Sequence, residues 1–223
     1  MKLRLLDKRQ EINGVESFVF KPESPLNWQP GQYLHYTLPH PEADDRGVER
    51  WFTISTAPYE KNIQITTRLD GEIESSFKKA LAQLNKGEEI EAEGPGGKFI
   101  LKEGDVRHIL IAGGIGITPY RSMLAQLIHD DKPANAELIY LNRDDSFVFG
   151  EELEKYAATD SSFKLTRAVD KKLTEADFKP LIDDSKTVFY LSGPHGMVEA
   201  YENMLKKMGL AEDRIKTDYF PGY

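Results

Sequence analysis

The segment HILIAGGIGITPYRSMLAQLIHD, residues 108–130, decides the fold class of this chain, because a glycine-rich turn joins a short apolar strand to a helix. The helix is predicted to begin with Thr118 as N-cap and Pro119 as first helical residue, and to end near Asp130. The glycines of the turn let the backbone approach a pyrophosphate. The N-terminus of the helix offers free N–H groups to an anion. The turn lacks the third glycine of the GxGxxG fingerprint, so tight strand-to-helix packing without a ligand is an alternative interpretation.

Strands and helices continue to alternate downstream of this segment. The pattern predicts strands at 137–141, 163–169 and 187–191 and helices at 150–158, 174–181 and 195–208. This alternation indicates a parallel sheet with helices on both faces. A second strand-turn-helix junction, LSGPHGM at 191–197, falls where such a sheet presents its ligand crevice. A serine hydrolase built on Ser192 and His195 is excluded because no GxSxG surrounds the serine.

The N-terminal half consists of short strands separated by Pro, Gly and Asn clusters, which is typical of a small antiparallel barrel or sandwich. One helix is predicted from Ser75, and the polar segment 39–49 is expected to form an exposed loop. The predicted fold is therefore an N-terminal antiparallel β-barrel, residues 1–103, followed by an α/β parallel-sheet, Rossmann-like domain, residues 104–223. The predicted barrel strands cover residues 1–8, 16–20, 33–38, 51–55, 62–68, 88–93 and 98–101.

Composition excludes several classes of function. Twenty-nine Lys and Arg against 37 Asp and Glu give a net charge of −8, which disfavours nucleic-acid binding. Without cysteine, this chain forms no disulfide, holds no iron–sulfur cluster and has no cysteine nucleophile. The five histidines show no HxxxH spacing, so no metal site is expected. A mean hydropathy of −0.52 and the absence of a signal-peptide pattern predict a soluble, cytoplasmic protein.

Two further segments have residue types suited to a phosphorylated ring. In RWFTIST, residues 50–56, an arginine fork binds phosphate bidentately, an aromatic side chain covers a ring face, and a hydroxyl group bonds the polar edge of the ring. The same pattern also fits an ordinary amphipathic strand. Ser75 and Ser76 form a second anion site at a helix N-terminus, or they serve only as capping residues.

In this order, and over essentially the whole chain, these segments resemble the ferredoxin–NADP reductase family of flavoproteins. RWFTIST is similar to its Arg-x-Tyr-Ser flavin motif, GGIGITP to its Gly-Gly-x-Gly-x-Thr-Pro nucleotide turn, and LSGPHGM to its Cys-Gly-x-x-Gly-Met turn. The resemblance implies a barrel that binds flavin, a second domain that binds NAD(P)H, and hydride transfer between the two. Supporting matches are PGQY at 30–33, the Ser75-Ser76 helix start, GPGGKF at 94–99 and YFPGY at 219–223.

The resemblance also assigns roles to single residues. Arg50 would hold the flavin phosphate, Phe52 would stack near the ring, and Thr53 would approach the N5 edge. Ser75 and Ser76 would face the pyrophosphate, which favours FAD over FMN. The candidate catalytic residues are Thr53, Ser192 and Asp218. Further flavin contacts are expected from Ile54, Ser55, Thr67 and Tyr223, and nucleotide contacts from Gly114, Gly116, Thr118, Arg143, Asp170, Gly193, Pro194 and Met197.

Two positions depart from the family pattern, and a third residue has two alternative roles. Phe52 replaces the usual Tyr, and Ser192 stands where many members have cysteine. Tyr223 either covers the flavin face and moves aside for nicotinamide, or packs against the barrel.

The preference between NADH and NADPH depends on Asp170, Lys171 and Lys172 at the end of a predicted strand. Members of the family that favour NADP have Ser-Arg there, where a cation meets the 2′-phosphate. The Asp170 carboxylate would repel that phosphate and favours NADH, whereas the two lysines and Arg143 favour NADPH.

The predicted function is an FAD-dependent oxidoreductase that passes electrons from NAD(P)H to a separate acceptor. Ferredoxin, flavodoxin, a small molecule and a membrane-bound redox complex all remain open as acceptors. The alternatives are a free-flavin or ferric reductase and an electron-entry subunit of a larger complex. Lys78-Lys79 and Lys206-Lys207 are expected on solvated helix faces, or as part of a docking surface for an acidic carrier.

Overall fold

The first layer of the computed structural model, which describes residues 1–70 and 75–220, is a curled antiparallel sheet with strand order β4-β3-β6-β1-β2-β5. Its edges approach each other, because the Ser55 amide after β4 donates to the carbonyl oxygen of Gln64 in β5. Helix α1 (Ser76–Gln83) covers one end. The strands are β1 (Lys2–Ile12), β2 (Val15–Pro22), β3 (Tyr33–Thr37), β4 (Glu49–Thr53), β5 (Ile63–Arg68) and β6 (Glu89–Gly96).

Alternating apolar residues form the interior of this sheet. Asn13-Gly14 supplies the two-residue turn between β1 and β2, with Gly14 at φ +71°. The buried face includes Phe18 and Phe20 of β2, and Phe77 and Leu81 of α1 pack into the same core. Helix α1 therefore packs on the barrel through apolar contacts, and this packing fixes the position of the N-terminus of α1.

The second layer is a parallel sheet with strand order β11-β10-β7-β8-β9. One core lies between the sheet and α2 and α3, and another lies on the opposite face against α4 and α5. This arrangement confirms the predicted two-domain fold. In the part of the chain that the structure describes, no helix is both long and apolar enough to cross a membrane. The elements are β7 (Arg107–Gly113), α2 (Thr118–His129), β8 (Ala136–Asn142), α3 (Gly150–Thr159), β9 (Phe163–Val169), α4 (Glu175–Ile182), β10 (Thr187–Pro194), α5 (His195–Lys207) and β11 (Ile215–Phe220).

The strand predicted at 98–101 was wrong. Residues 97–106 form an irregular connection between the sheets, and the predicted domain boundary at 103/104 falls within it. The Phe99 ring packs against Tyr120 and Tyr190, at centroid distances of 5.8 and 5.6 Å, and the Lys102 amide donates to the Tyr190 hydroxyl. The apolar residues of this stretch therefore join the two layers instead of extending a sheet.

Thr118 is not the N-cap that its position suggests. A 3₁₀ turn (Gly114–Ile117) leads directly into α2, and Ile117 already has helical dihedral angles of −68° and −23°. The Thr118 hydroxyl donates back to the carbonyl oxygen of Ile115 at 3.2 Å. The glycine turn is thus wound as helix, so the capping position predicted at Thr118 lies one turn inside the helical segment.

Candidate functional site

Arg50 extends from β4 into the barrel and lies beside the N-terminus of α1. It is 3% exposed, and its guanidinium carbon is 5.6 Å from the centroid of the Phe77 ring. Its Nη1 donates to the carbonyl oxygens of Arg46 and Glu49 at 2.9 and 2.6 Å, and its Nη2 lies 3.3 Å from Asp44 Oδ1. The surrounding carbonyl groups therefore hold the guanidinium at the start of the helix.

The N-terminus of α1 is occupied by a carboxylate from the loop between β3 and β4. The Ser76 amide donates to Asp44 Oδ2 at 3.0 Å, and the Asp44 amide donates to Ser76 Oγ at 3.0 Å. Ser75 is the N-cap, and its Oγ accepts from the Lys78 amide at 3.4 Å. Hydrogen bonds from Arg46 and then from the Ser76 amide hold the pKa of Asp44 well below its usual range. The Arg50 guanidinium and the Ser76 amide thus meet at one carboxylate, beside the N-cap residue Ser75.

Lys78 belongs to this cluster, so its expected place on a solvated helix face was wrong. The side chain is half-buried. Burial, and then the positive charges of Arg46, Arg50 and Arg68, lower its pKa to about 8. Sequence reasoning missed Asp44, Arg46 and Lys78 as site residues. The available signal was the concentration of charge in 44–50, but only the folded loop places it against α1.

The remaining residues of the RWFTIST segment lie on β4 and on the residues that directly follow it. Phe52 is half-buried, with its ring 5.9 Å from Tyr36 and 5.8 Å from Phe77. Thr53 is 6% exposed and pairs with Tyr33 across β3 and β4. The Ile54 side chain lies in the barrel core, which leaves only its backbone for a ligand. Thr67 is buried on β5, opposite Glu16 of β2, three residues after Gln64, whose carbonyl oxygen accepts from the Ser55 amide.

The motif ends at the junction between the two layers, where Arg121 of α2 binds it. Arg121 Nη1 donates to the carbonyl oxygen of Ser55 at 3.2 Å, and the guanidinium also pairs with Glu60 and Glu152. Burial opposes the charge of Arg121, but hydrogen bonds and charge from the two glutamates raise its pKa above the ordinary value. The Ser55 hydroxyl is buried and has no hydrogen-bond partner among the described residues. The helix that follows the glycine turn is thus bonded directly to the flavin-like motif.

The carboxyl ends of the parallel strands form the wall of the candidate site that lies opposite the RWFTIST segment. Ser192 of β10 is in register with Ala112 of β7 and Asp218 of β11. Gly116 packs so closely that a Cβ there would lie 2.2 Å from the Ser192 carbonyl oxygen. The Ser192 hydroxyl is fully buried without a partner among residues 1–70 and 75–220. Close packing therefore requires glycine at 116, whatever ligand the turn binds.

Other predicted nucleotide residues surround this turn. Gly114, at φ +53°, follows the end of β7, and Gly193, at φ +149°, lies against Gly113. The Met197 thioether also packs on Gly113, and Pro194 is exposed at the start of α5. These residues form one glycine-lined surface at the end of the sheet.

A cavity of about 590 Å³ lies between the layers. Tyr33 and Gly97–Phe99 line it from the N-terminal side, and Ile215–Asp218 of β11 line it from the other. Burial raises the pKa of Asp218 to about 6. A carboxyl group that changes charge near neutral pH at an interlayer cavity is suited to holding or releasing a proton.

We expect Asp218→Asn to stabilise the protein at pH 7.5 more than at pH 4.5. Because the folded-state pKa lies above the ordinary value of 3.8, ionisation costs folding free energy, and stability falls as the pH rises from about 4 to 6. Asparagine removes that cost, which is measured by thermal unfolding of both proteins across this pH range. Asp213→Asn, at an exposed aspartate before β11, is the control. An equal effect of Asp218→Asn at both pH values would contradict the assignment.

The residues predicted to select the nucleotide lie at adjacent strand ends. Asp170 follows β9, is exposed, and donates its amide proton to the carbonyl oxygen of Asn142 at 2.8 Å. Arg143 follows β8 and is also exposed. Lys171 Nζ donates to Asp177 Oδ1 at 2.7 Å, so that cation is directed toward α4. Tyr223 lies outside the described residues.

Residues 110–203 match the oxidoreductase NAD-binding domain family. A flavohemoprotein of Bacillus subtilis is 25% identical over 96% of this chain, which spans 57% of that relative's length. The FAD/NAD-binding domain of nitric oxide dioxygenase from Vibrio cholerae superposes with a TM-score of 0.84, at 23% identity over 98% of each chain. Ferredoxin-NADP+ reductase from Plasmodium falciparum gives a TM-score of 0.84 at 17% identity, over 98% of this chain and 95% of that one.

The two structural likenesses concern the fold, and the family match and the relative concern the sequence. Residues 110–203 therefore form an oxidoreductase NAD-binding domain, and these matches support the resemblance of the whole chain to the ferredoxin–NADP reductase-like family of flavin-dependent NAD(P)H oxidoreductases.

Proposed function

We propose that this chain binds FAD, takes reducing equivalents from NADH or NADPH, and passes electrons to a separate acceptor. One observation carries the proposal. The extended segment from Arg50 to Ser55, which is the end of β4 and the two residues after it, joins an anion site at the start of α1 to Arg121 in the first turn of α2. Six residues of strand span about 16 Å. This length suits a ligand with phosphate at one end and a reactive ring at the other.

The residues fit a flavin dinucleotide. The Asp44 carboxylate shows that an anionic group is stabilised between Arg50 and the Ser76 amide. Arg46 and Lys78 add positive charge, as a pyrophosphate requires. The buried Ser55 and Ser192 hydroxyls lack partners in the described part of the chain, and both lie near the junction of the layers. Two such groups suit the polar edges of bound rings.

The protein would contribute binding, orientation and proton handling. When bound, the flavin supplies the redox chemistry, accepting hydride from a reduced nicotinamide and releasing electrons to the acceptor. Arg50 and Ser76 would hold the phosphate end, and Phe52 would lie along the ring system. The turn at Gly114–Gly116 would receive the nucleotide. Asp218, with its raised pKa, would hold a proton at the cavity below about pH 6.

NADH is the proposed electron donor. The Asp170 carboxylate would repel a 2′-phosphate and accept a ribose hydroxyl. Lys171 is paired with Asp177, which weakens the argument for a phosphate site built from the two lysines. Arg143 at the neighbouring strand end is the residue that favours the opposite choice.

The acceptor is proposed only by class, as a redox protein or domain. The Bacillus subtilis relative is a flavohemoprotein, and the Plasmodium falciparum neighbour is a ferredoxin reductase. Because this chain spans little more than half of the curated relative, an electron-entry role in a larger assembly is the second candidate function. The cytoplasmic location remains a prediction.

The absorption spectrum of the purified chain tests the proposal. With added FAD, we expect a stoichiometric flavin spectrum that bleaches on anaerobic addition of NADH, faster than with NADPH. Ferricyanide should restore the oxidised spectrum, because an isolated reductase passes electrons to a small acceptor. A chain that takes up no FAD would overturn the proposal, and a large rate advantage for NADPH would overturn the argument from Asp170. Flavin uptake without bleaching would favour the subunit role.

A further inference from the structure

We infer that Asp44 is an intramolecular competitor for the flavin phosphate, so that its carboxylate keeps the bound flavin exchangeable. This inference rests on the proposed function, since it concerns the same cradle of Arg50 and α1. It adds that a residue of the chain lowers the affinity of the site for its own cofactor.

The first argument is the set of donors that Asp44 engages. Its carboxylate accepts from the Arg46 amide at 3.0 Å, from Arg46 Nε and Nη2 at 3.2 and 2.6 Å, and from the Ser76 amide at 3.0 Å. Arg50 Nη2 lies 3.3 Å away. Guanidinium forks and helix-terminal amides are the donors that phosphate prefers in proteins. A carboxylate and a phosphate cannot use the same donors at once, so they compete.

The second argument is electrostatic. Burial, and then the charges of the nearby Arg46 and Arg50, lower the pKa of Lys78, and Asp44 bonds both arginines. A pyrophosphate that displaced this carboxylate would meet the whole cluster of cations. With Asp44 in place, part of that positive charge is already neutralised. The electrostatic free energy gained when the phosphate binds is therefore smaller.

The third argument is that polar contacts hold Asp44 at α1, with exposed residues beside it in the loop. The Leu38 amide bonds the carbonyl oxygen of Val48, which closes the neck of the loop next to β3 and β4. Between them, Pro41, Glu42 and Asp45 are exposed, and none of these residues belongs to the barrel core. A local movement of Asp44 and these exposed neighbours therefore breaks polar contacts at α1, while His40 of the same loop stays packed against the Phe77 ring at 6.5 Å.

The test compares FAD binding by Asp44→Asn, Asp44→Ser and the wild-type full chain, each stripped of flavin. Asp45→Asn is the matched control, because Asp45 is the exposed neighbour in the same loop. Removing the competing charge should tighten FAD binding about tenfold, which flavin fluorescence titration measures directly. Riboflavin, which has no phosphate, should bind all four proteins equally, and Asp45→Asn should match the wild type for both ligands.

The outcomes separate this inference from the proposed function. If both Asp44 variants bind FAD as the wild type does, or more weakly, then Asp44 organises the cradle and the inference is overturned. If the variants tighten riboflavin as much as FAD, the effect does not involve phosphate and the inference also fails. If neither the wild type nor Asp45→Asn binds FAD, the proposed function itself is wrong.

Discussion

Gly116→Ala should lower the melting temperature by roughly 6–12 °C, which corresponds to about 3 kcal/mol in a protein of this size. A Cβ at this position would lie 2.2 Å from the Ser192 carbonyl oxygen, 2.5 Å from its carbonyl carbon and 2.7 Å from the Gly193 Cα. All three atoms belong to the backbone of β10, so rotation of a side chain cannot relieve the clash. The glycine turn and the end of β10 must separate instead.

The same separation should impair nucleotide use more than flavin binding. Both displaced segments lie at the carboxyl end of the parallel sheet, whereas the anion cradle is in the barrel. We expect at least a tenfold loss of NADH-dependent flavin reduction, measured by stopped-flow absorbance, with FAD affinity unchanged.

Gly196→Ala is the matched control for this substitution. Gly196 lies in α5, and a Cβ there would meet no atom within 4 Å. Alanine also has the higher helix propensity, so the melting temperature should stay the same or rise. Wild-type stability of Gly116→Ala would contradict the packing argument.

Arg121→Met should cost about 3 kcal/mol of unfolding free energy and slow electron transfer from NADH to flavin. The side chain is 11% exposed, and it holds together Ser55 of the barrel layer, Glu60 and Glu152. Removing one member of a buried ion cluster leaves its partners without compensation. Denaturant unfolding measures the first effect, and single-turnover reduction of the flavin measures the second.

Arg107→Met serves as the control for Arg121→Met. Arg107 pairs with Glu137 at 2.9 Å, but its side chain is 37% exposed and the pair lies at the other end of the parallel sheet. Glu137 is buried but keeps a second cation, Lys164 at 2.7 Å, so loss of the partly exposed Arg107 should cost about 1 kcal/mol or less. If both variants lose the same stability and reduce flavin at the wild-type rate, Arg121 does not position the two layers.

Much of the fold follows from local sequence patterns. The predicted bounds of β8 and β9 differ from the observed ones by one residue at most. Apolar runs and glycine turns there agree with the tertiary context, so local preference and final structure coincide. The strand predicted at 98–101 failed because its apolar residues pack between the layers, and β11 was missed because IKTDYF mixes polar and apolar residues at a sheet edge.

The candidate site was predictable in kind but not in its arrangement. Arg50, Ser75 and Ser76 were predicted as site residues because arginine side chains and helix N-termini are suited to binding phosphate. Asp44 and Lys78 have no such local signature. Their roles come from a loop that folds back onto α1, and a solvated helix face cannot be distinguished by sequence from one that lies under that loop.

Motif order and strand-helix alternation, which depend on neighbours within one element, were sufficient for the fold class and for the family resemblance. The meeting of Asp44 with Ser76, 32 residues apart, and of Arg121 with Ser55, 66 residues apart, required the folded chain. Such contacts depend on how whole elements pack, and no periodicity within an element encodes them. The sequence therefore identifies what this protein binds as a class, and the packing of its two layers sets how tightly and in what geometry.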